Sequence, residues 1–327
     1  MSRSLRHLAY VPCLLLGTCL LWFCVVRDKL LGSRPHKVYL CGYELNKFAH
    51  KVFYDYDMYF YTRTCRPSRS DVLLVGMHAT CEADSFPGKV VYVNGEPHRG
   101  AQIPKSYYLG PSSPQRRSVL SAIFGFMARR RDLQLFYASV AVLEFDPVRI
   151  EKVFNTRPSN SGDHFLMHVS SRCIEHRERA LEAFSMIGKV HTGGKCRGGV
   201  ITDSVNNRHI WKSTHELYRQ KFKFGLVMEN SDTHGYVTEK IFAAFLGGAI
   251  PIYWGSREVF SMFNEKAFVF YDVKAPQAAL DQVKALLQNE TAYQAMLSEP
   301  ILAPGAYERF FWRDDHLVNE VRNFLAI

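Results

Sequence analysis

The sequence holds no CxxC pair and no Cys/His set at zinc-ligand spacing, so nothing in it prescribes a structural metal. No repeat of short period and no low-complexity tract stands out. Acids are in short supply: 31 Asp and Glu against 41 Lys and Arg leave a net charge of +10 over 327 residues. A basic chain of this size invites nucleic acid, an anionic membrane surface, or an acidic small molecule such as a nucleotide phosphate. Nucleic acid lacks support, because there is neither a recognition module nor a run of interleaved basic and aromatic residues on one element. What remains is ordinary globular material, 47% hydrophobic and 22% charged, which excludes a disordered chain, a collagen and a multi-span membrane protein. The length suffices for two domains of roughly 100–200 residues each.

Residues 8–26 (LAYVPCLLLGTCLLWFCVV) run 19 positions without a charge. At about 1.5 Å per residue, a helix of that length spans about 28 Å, close to the hydrocarbon core of a bilayer. The run ends Cys24-Val25-Val26-Arg27, a poor cleavage site, so it reads as an uncleaved signal anchor rather than a signal peptide. Charge leaves its topology open: Arg3 and Arg6 precede the span, while Arg27, Lys29, Arg34 and Lys37 follow it. Cys13, Cys19 and Cys24 sit inside the span. The other five cysteines (Cys41, Cys65, Cys81, Cys173 and Cys196) are odd in number, so an oxidising compartment would leave one free or bridged to another molecule. Asn289-Glu290-Thr291 is the single N-x-[ST] sequon and makes Asn289 the N-glycosylation candidate.

Past a short polar stem at 27–36, apolar runs at 37–42, 71–77 and 89–93 have the composition of strands buried on both faces. Runs at 164–170, 222–229, 249–254 and 267–271 share it, with amphipathic segments at 177–187, 236–246 and 275–287 among them. Strands alternating with helices of this length predict βαβ units and a parallel sheet. Pro147 and the polar stretch 155–163 interrupt the pattern midway. The expected organisation is therefore a tail at 1–7, the span at 8–26, the stem, an N-terminal α/β domain at 37–155 and a C-terminal one at 156–327. Two doubly wound domains facing each other would hold a nucleotide-type ligand at the carboxyl ends of their strands.

The segment 222–255 (FKFGLVMENSDTHGYVTEKIFAAFLGGAIPIYWG) reads as strand, turn, helix, strand. Polar groups gather where the first strand ends, at Glu229-Asn230, and where the helix starts, at about Tyr236. Such a helix start supplies free backbone N–H groups and partial positive charge for a phosphate. Tyr236 and Lys240, four apart, would share a face and could hydrogen-bond a diphosphate, while Glu239 suits a ribose diol. A plainer role also fits, with Glu239 favouring the helix start and Lys240 solvated on the surface. The segment resembles the GDP-fucose-binding signature of the inverting α1,3/α1,4-fucosyltransferases. The matches are Glu229-Asn230-Ser231, Tyr236-Val237-Thr238-Glu239-Lys240 and Ile250-Pro251-Ile252-Tyr253-Trp254-Gly255. The resemblance implies two facing Rossmann-like domains of the GT-B type, with the nucleotide in the C-terminal one. It makes Asn230, Tyr236, Glu239 and Lys240 donor-site residues, with Glu229 as a secondary candidate.

Two further stretches extend the resemblance. His168-Val169-Ser170-Ser171 followed by Arg177 is similar to the family's first donor-domain strand, its turn, and an Arg facing the diphosphate. There Arg177 would stabilise the charge growing on GDP. Residues 189–196 (KVHTGGKC) resemble a glycine-rich loop, which makes Gly193 and Gly194 secondary candidates through close backbone approach. In the family a Glu following the strand equivalent to 90–95 is the catalytic base. The matching position is Glu96, which would take the acceptor hydroxyl's proton as that oxygen attacks. Asp55-Tyr56-Asp57 spells the Asp-x-Asp with which other glycosyltransferases hold Mn²⁺, but it lies in an aromatic run far from the donor signature, so no metal is assigned. No tightly bound cofactor is expected, and stimulation by Mn²⁺ stays open. Arg129-Arg130-Arg131 reads as a solvated face.

The resulting expectation is an inverting fucosyltransferase that moves L-fucose from GDP-fucose to a GlcNAc hydroxyl, α1,3 or α1,4, in a glycoprotein or glycolipid glycan. It would be a single-pass type II Golgi membrane protein with a lumenal catalytic domain. The alternative is a non-catalytic, membrane-anchored glycan- or nucleotide-binding relative of the same fold.

Overall fold

The computed structural model describes residues 36–41, 45–62, 66–76, 81, 83–93, 107–110, 131–134, 137–144, 147–194, 196, 218, 221–312 and 315–327. The apolar span 8–26, Cys65, Glu96, Arg129 and Arg130 lie outside the described residues. Among the described residues no helix is long and apolar enough to cross a membrane. The chain divides into two compact units, Met1–Val91 and Tyr92–Ile327.

In the first unit the apolar runs become strands. β1 (Lys37–Cys41) buries Val38, Tyr39 and Leu40, and β3 (Val72–Gly76) is buried throughout. Between them in sequence lie α1 (Asn46–Val52), which buries Phe48, Ala49 and Val52, and β2 (Asp57–Phe60). β1 is parallel to both β2 and β3, with Val38 opposite Met58 on one side and Val72 on the other. β4 (Lys89–Val93) lies beside β3. β2 is an edge strand, half-exposed, and its Asp-Met-Tyr-Phe sequence carries no buried-strand run. The aromatic stretch containing Asp55-Tyr56-Asp57 thus supplies a sheet edge. A Cys41–Cys81 disulfide ties the end of β1 to the segment after β3.

The second unit opens with the parallel pair β5 (Tyr107–Gly110) and β6 (Arg131–Gln134). Arg131 begins β6. α2 (Tyr137–Ala141) and α3 (Pro147–Asn155) follow. Pro147 takes the first helical position, where its missing N–H costs no hydrogen bond.

The second sheet contains β7 (His164–Ser170), β8 (Val190–Gly194), β9 (Phe222–Met228), β10 (Ile250–Trp254) and β11 (Val269–Phe270), in the order β11-β10-β9-β7-β8. Every pairing is parallel. Its core gathers Leu166, Phe224, Leu226, Ile250 and Ile252 with Leu181 and Phe184 of α4 (Glu175–Ser185). Val283 and Leu286 of α7 (Gln277–Gln288) join them; α6, the short turn Val259–Met262, lies earlier in the chain. α5 (Lys240–Leu246) is buried from Ile241 to Leu246, as a helix apolar all round must be. Its Phe242 packs on Phe154, Phe263 and Phe311. α8 (Glu290–Ser298), α9 (Ala306–Phe310) and α10 (His316–Leu325) complete the unit. Asn289 is exposed, and its side-chain oxygen caps α8 by accepting from the Ala292 N–H at 3.0 Å.

Residues 156–163 are strapped to this sheet. Arg157 donates to the Ala267 carbonyl at 2.9 Å with its guanidinium 5.0 Å over the Phe245 ring, and burial lowers its pKa to about 10. Asn160 donates to the Phe222 carbonyl at 2.7 Å.

Two expectations need correcting. The helix expected from Tyr236 begins at Lys240. The stretch expected as a glycine-rich loop is instead the edge strand β8, with Gly193 opposite Val169 and Gly194 opposite Ser170. At Gly194 φ is +91°, and a Cβ there would run into the Ser170 carbonyl, so glycine serves close strand approach rather than a loop.

From β7 the chain steps outward to β8, then returns across β7 to β9. This reversal opens a crevice at the carboxyl ends of β7 and β9, where doubly wound sheets take their ligands. A Cys173–Cys196 disulfide closes a 23-residue separation between the turn after β7 and the residue beyond β8, both at this end. Replacing Cys173 by Ser should lower unfolding free energy by about 3 kcal/mol, the loop-entropy value for that length. Urea titration of the intact chain and the variant measures it.

Candidate donor site

The crevice is organised by Arg177, in the first turn of α4, and by the loop that follows β9. Arg177 is buried, with 4% of its surface exposed, and reaches across the strand reversal. Its Nη1 donates to Ser170 Oγ at 3.0 Å and to the Arg172 carbonyl at 3.4 Å. Its Nη2 donates to the Met228 carbonyl at 2.7 Å and to Asn230 Oδ1 at 2.9 Å. One guanidinium thus joins the ends of β7 and β9. All four acceptors are neutral, and the buried Nε has no hydrogen-bond partner. Burial pulls the Arg177 pKa down, and the charge of Glu229 works against that. Asn230, held by Arg177, donates in turn to the Tyr236 hydroxyl at 3.2 Å.

Glu229 closes the other half. Its side chain is fully buried. It accepts from the Thr238 N–H at 2.9 Å, from the Thr238 hydroxyl at 2.9 and 2.8 Å, and from Lys240 Nζ at 2.9 Å. The Tyr253 hydroxyl approaches at 3.5 Å, and burial together with this carboxylate keeps that phenol protonated. Lys240 also donates to Thr238 Oγ1 at 2.9 Å. Burial opposes the lysine's charge, but Glu229 and Glu239 outweigh it and raise its pKa above the ordinary value. The Thr238 bonds also explain why the helix starts late. With its N–H and hydroxyl turned to Glu229, the chain from Tyr236 to Glu239 follows the carboxylate instead of a helical path. The shared helical face expected for Tyr236 and Lys240 therefore does not exist, although Lys240 Nζ lies 5.9 Å from the centre of the Tyr236 ring.

At this end of the second sheet Arg177, Asn230 and Tyr236 form one hydrogen-bonded chain and Glu229, Thr238 and Lys240 another, with Glu239 adjacent to Lys240. Gly193 and Gly194 close the β8 side. Tyr236 is 1% exposed, so it supports the site through Asn230 rather than through an open face. Sequence reasoning missed His176 and Trp254. Their rings lie 4.1 Å apart, and His176 Nε2 donates to the Glu229 carbonyl at 3.4 Å. Burial lowers the His176 pKa. The His-Arg order in the helix start was the available signal. Sequence reasoning also missed Gly255, where a Cβ would collide with Glu229 Cγ and the Tyr253 hydroxyl. Among the described residues no group of three or more His, Cys, Asp or Glu could hold a metal ion.

The model of the C-terminal region of glycosyltransferase family 10 (fucosyltransferase) matches residues 160–298, the stretch that builds this site. Residues 160–298 are thus similar to a family 10 fucosyltransferase domain. The α-(1,3)-fucosyltransferase FucT of Helicobacter pylori is 38% identical over 139 residues, which are 42% of this chain and 27% of that protein. The α-(1,4)-fucosyltransferase of Arabidopsis thaliana is 26% identical over 265 residues, 76% of this chain and 59% of that one. The chain therefore spans between about a quarter and three-fifths of the length of these two relatives. A crystal structure of an α1,3-fucosyltransferase with GDP-fucose aligns at TM-score 0.60 and 21% identity over 91% of each chain. That likeness is one of fold: α/β with parallel sheets.

Within the stretch that matches the family model, Arg177 braces the crevice. Arg177→Ala would leave four oxygen acceptors without their shared donor and should cost about 3 kcal/mol of stability. Chemical denaturation checks this, and a loss under about 0.5 kcal/mol, the size of an ordinary surface change, would contradict the brace.

Proposed function

We propose that the chain is a membrane-anchored fucosyltransferase that transfers L-fucose from GDP-fucose to a GlcNAc hydroxyl of a glycan, with α1,3 or α1,4 linkage. The observation that carries this reading is the placement of both Arg177 and Lys240 at the carboxyl end of β9, within the stretch that matches the fucosyltransferase family model. Two cations there suit a diphosphate that gains charge as it leaves. Asn230 and Glu239 complete the donor set, Glu239 facing the ribose diol.

In the proposed step the acceptor oxygen bonds to C1 of fucose as the bond from C1 to the diphosphate oxygen breaks. That electron pair leaves on GDP, and C1 inverts. The acceptor's proton passes to the Glu96 carboxylate. Glu229 does not touch the donor; it sets Thr238 and Lys240. The residues around the leaving group supply fixed positive charge that needs no reorganisation as the bond breaks.

We assign residues 8–26 as the anchor of a single-pass type II protein in the Golgi membrane, with the fucosyltransferase domain lumenal. The Cys41–Cys81 and Cys173–Cys196 disulfides support an oxidising compartment. The exposed Asn289 sequon agrees with it.

The test incubates the purified full chain with GDP-fucose and lactosamine, chitobiose-core and sialylated acceptors. Fucosyl transfer to one of them is expected. Neither transfer nor GDP-fucose hydrolysis would favour the non-catalytic relative. Glu96→Gln should lower turnover by about 10³-fold while GDP-fucose binding persists.

A further inference from the structure

The loop between β9 and α5 carries the donor-site residues and contains neither strand nor helix from Asn230 to Glu239. Glu229 holds its last residues. Its tip is held by something else: Glu258, at the start of α6, with a side chain 24% exposed. One carboxylate oxygen pairs with His234 Nδ1. The other accepts from the Gly235 N–H at 3.3 Å and from the Ser256 hydroxyl. The Gly235 N–H also reaches Ser256 Oγ at 3.2 Å, and Ser256 is buried. Three donors from two segments converge on one side chain, and an ionised carboxylate has lone pairs for all of them.

We propose that Glu258 is a positioning residue for GDP-fucose: by gripping His234 and Gly235 it sets the loop that presents Asn230 and Tyr236. This rests on the reading given under Proposed function. Gly235 immediately precedes Tyr236, whose hydroxyl is bonded to Asn230, whose side-chain oxygen is bonded to Arg177. Release of the tip therefore passes through two hydrogen bonds to the crevice. Burial pushes the Glu258 carboxyl up, but the hydrogen bonds from Ser256 and the backbone, and the His234 charge, outweigh it and hold it below its ordinary value. The side chain is anionic across the neutral range and ready to accept from all three donors. Nothing in the grip touches a reacting atom, so its loss should weaken donor binding and leave the chemical step nearly intact.

The experiment measures donor KM and kcat for the intact chain, Glu258→Ala and Glu258→Gln, with thermal unfolding of each. Glu258→Ala should raise KM for GDP-fucose about tenfold with kcat within about twofold. Glu258→Gln should recover much of this loss, because its amide oxygen still accepts from Gly235 and Ser256. An unchanged KM in Glu258→Ala, or a fall in kcat at unchanged KM, overturns the assignment. If Glu258→Ala does not fold, Glu258→Gln decides: a KM raised by about two- to fivefold supports the grip and an unaltered one removes it. An intact chain that neither binds nor turns over GDP-fucose overturns the functional reading and this assignment with it; an active chain with unchanged variants overturns this assignment alone.

Discussion

A carboxylate taken wholly out of water has to be compensated, and the second sheet is arranged around that requirement. Glu229 sits at the end of β9 with no exposed surface, and an unpaired charge there would cost several kcal/mol. Thr238 answers it with a backbone N–H and a hydroxyl, Lys240 with an ammonium. Removing either partner would leave the other charge stranded, so the pair constrains the chain more than it stabilises it. The late start of α5, the path of the loop and the location of the lysine follow from this contact. Gly255 has no side chain because Glu229 occupies the space.

Arg177 is the counterpart on the opposite wall. It spends four hydrogen bonds on neutral oxygens from β7, β9 and their turns, and so fixes the width of the crevice. Its charge is left without a carboxylate partner among those contacts. Lys240 has Glu229, but 29% of its side chain remains exposed. Two cations held in place by structure, one of them uncompensated by direct pairing, form a local excess of positive charge suited to an anionic ligand. This accounts for a small part of the net +10 of the chain.

The core was largely legible in advance. β3 and β10 are buried throughout, and β1, β4, β7 and β9 are mostly apolar with few polar positions, a pattern that length and flanking turns distinguish from helices. Four strands escaped notice, β2, β5, β6 and β8, and two of them lie where that signal fades. β2 and β8 are edges, and His191, Gly193 and Gly194 of β8 have no apolar run to display. The candidate donor residues stood out through a motif, because the proposed chemistry needs them at fixed spacing. Their division of labour was not. Glu229, Glu239 and Lys240 look alike as charged letters, and only burial separates the acid that organises the loop from residues that face outward. Glu258 and His234 were invisible for a different reason. They lie 24 positions apart, come from separate segments, and carry no local pattern that sequence spacing can detect.

The central claim is that the carboxyl ends of β7 and β9 bind the diphosphate of a guanosine nucleotide, with the Glu229-ordered loop as one wall. Amide hydrogen exchange of the full chain, with and without saturating GDP, tests it most directly. The account predicts slower exchange concentrated in 170–178 and 229–240. Nucleotide-dependent protection that leaves both segments unchanged would contradict it.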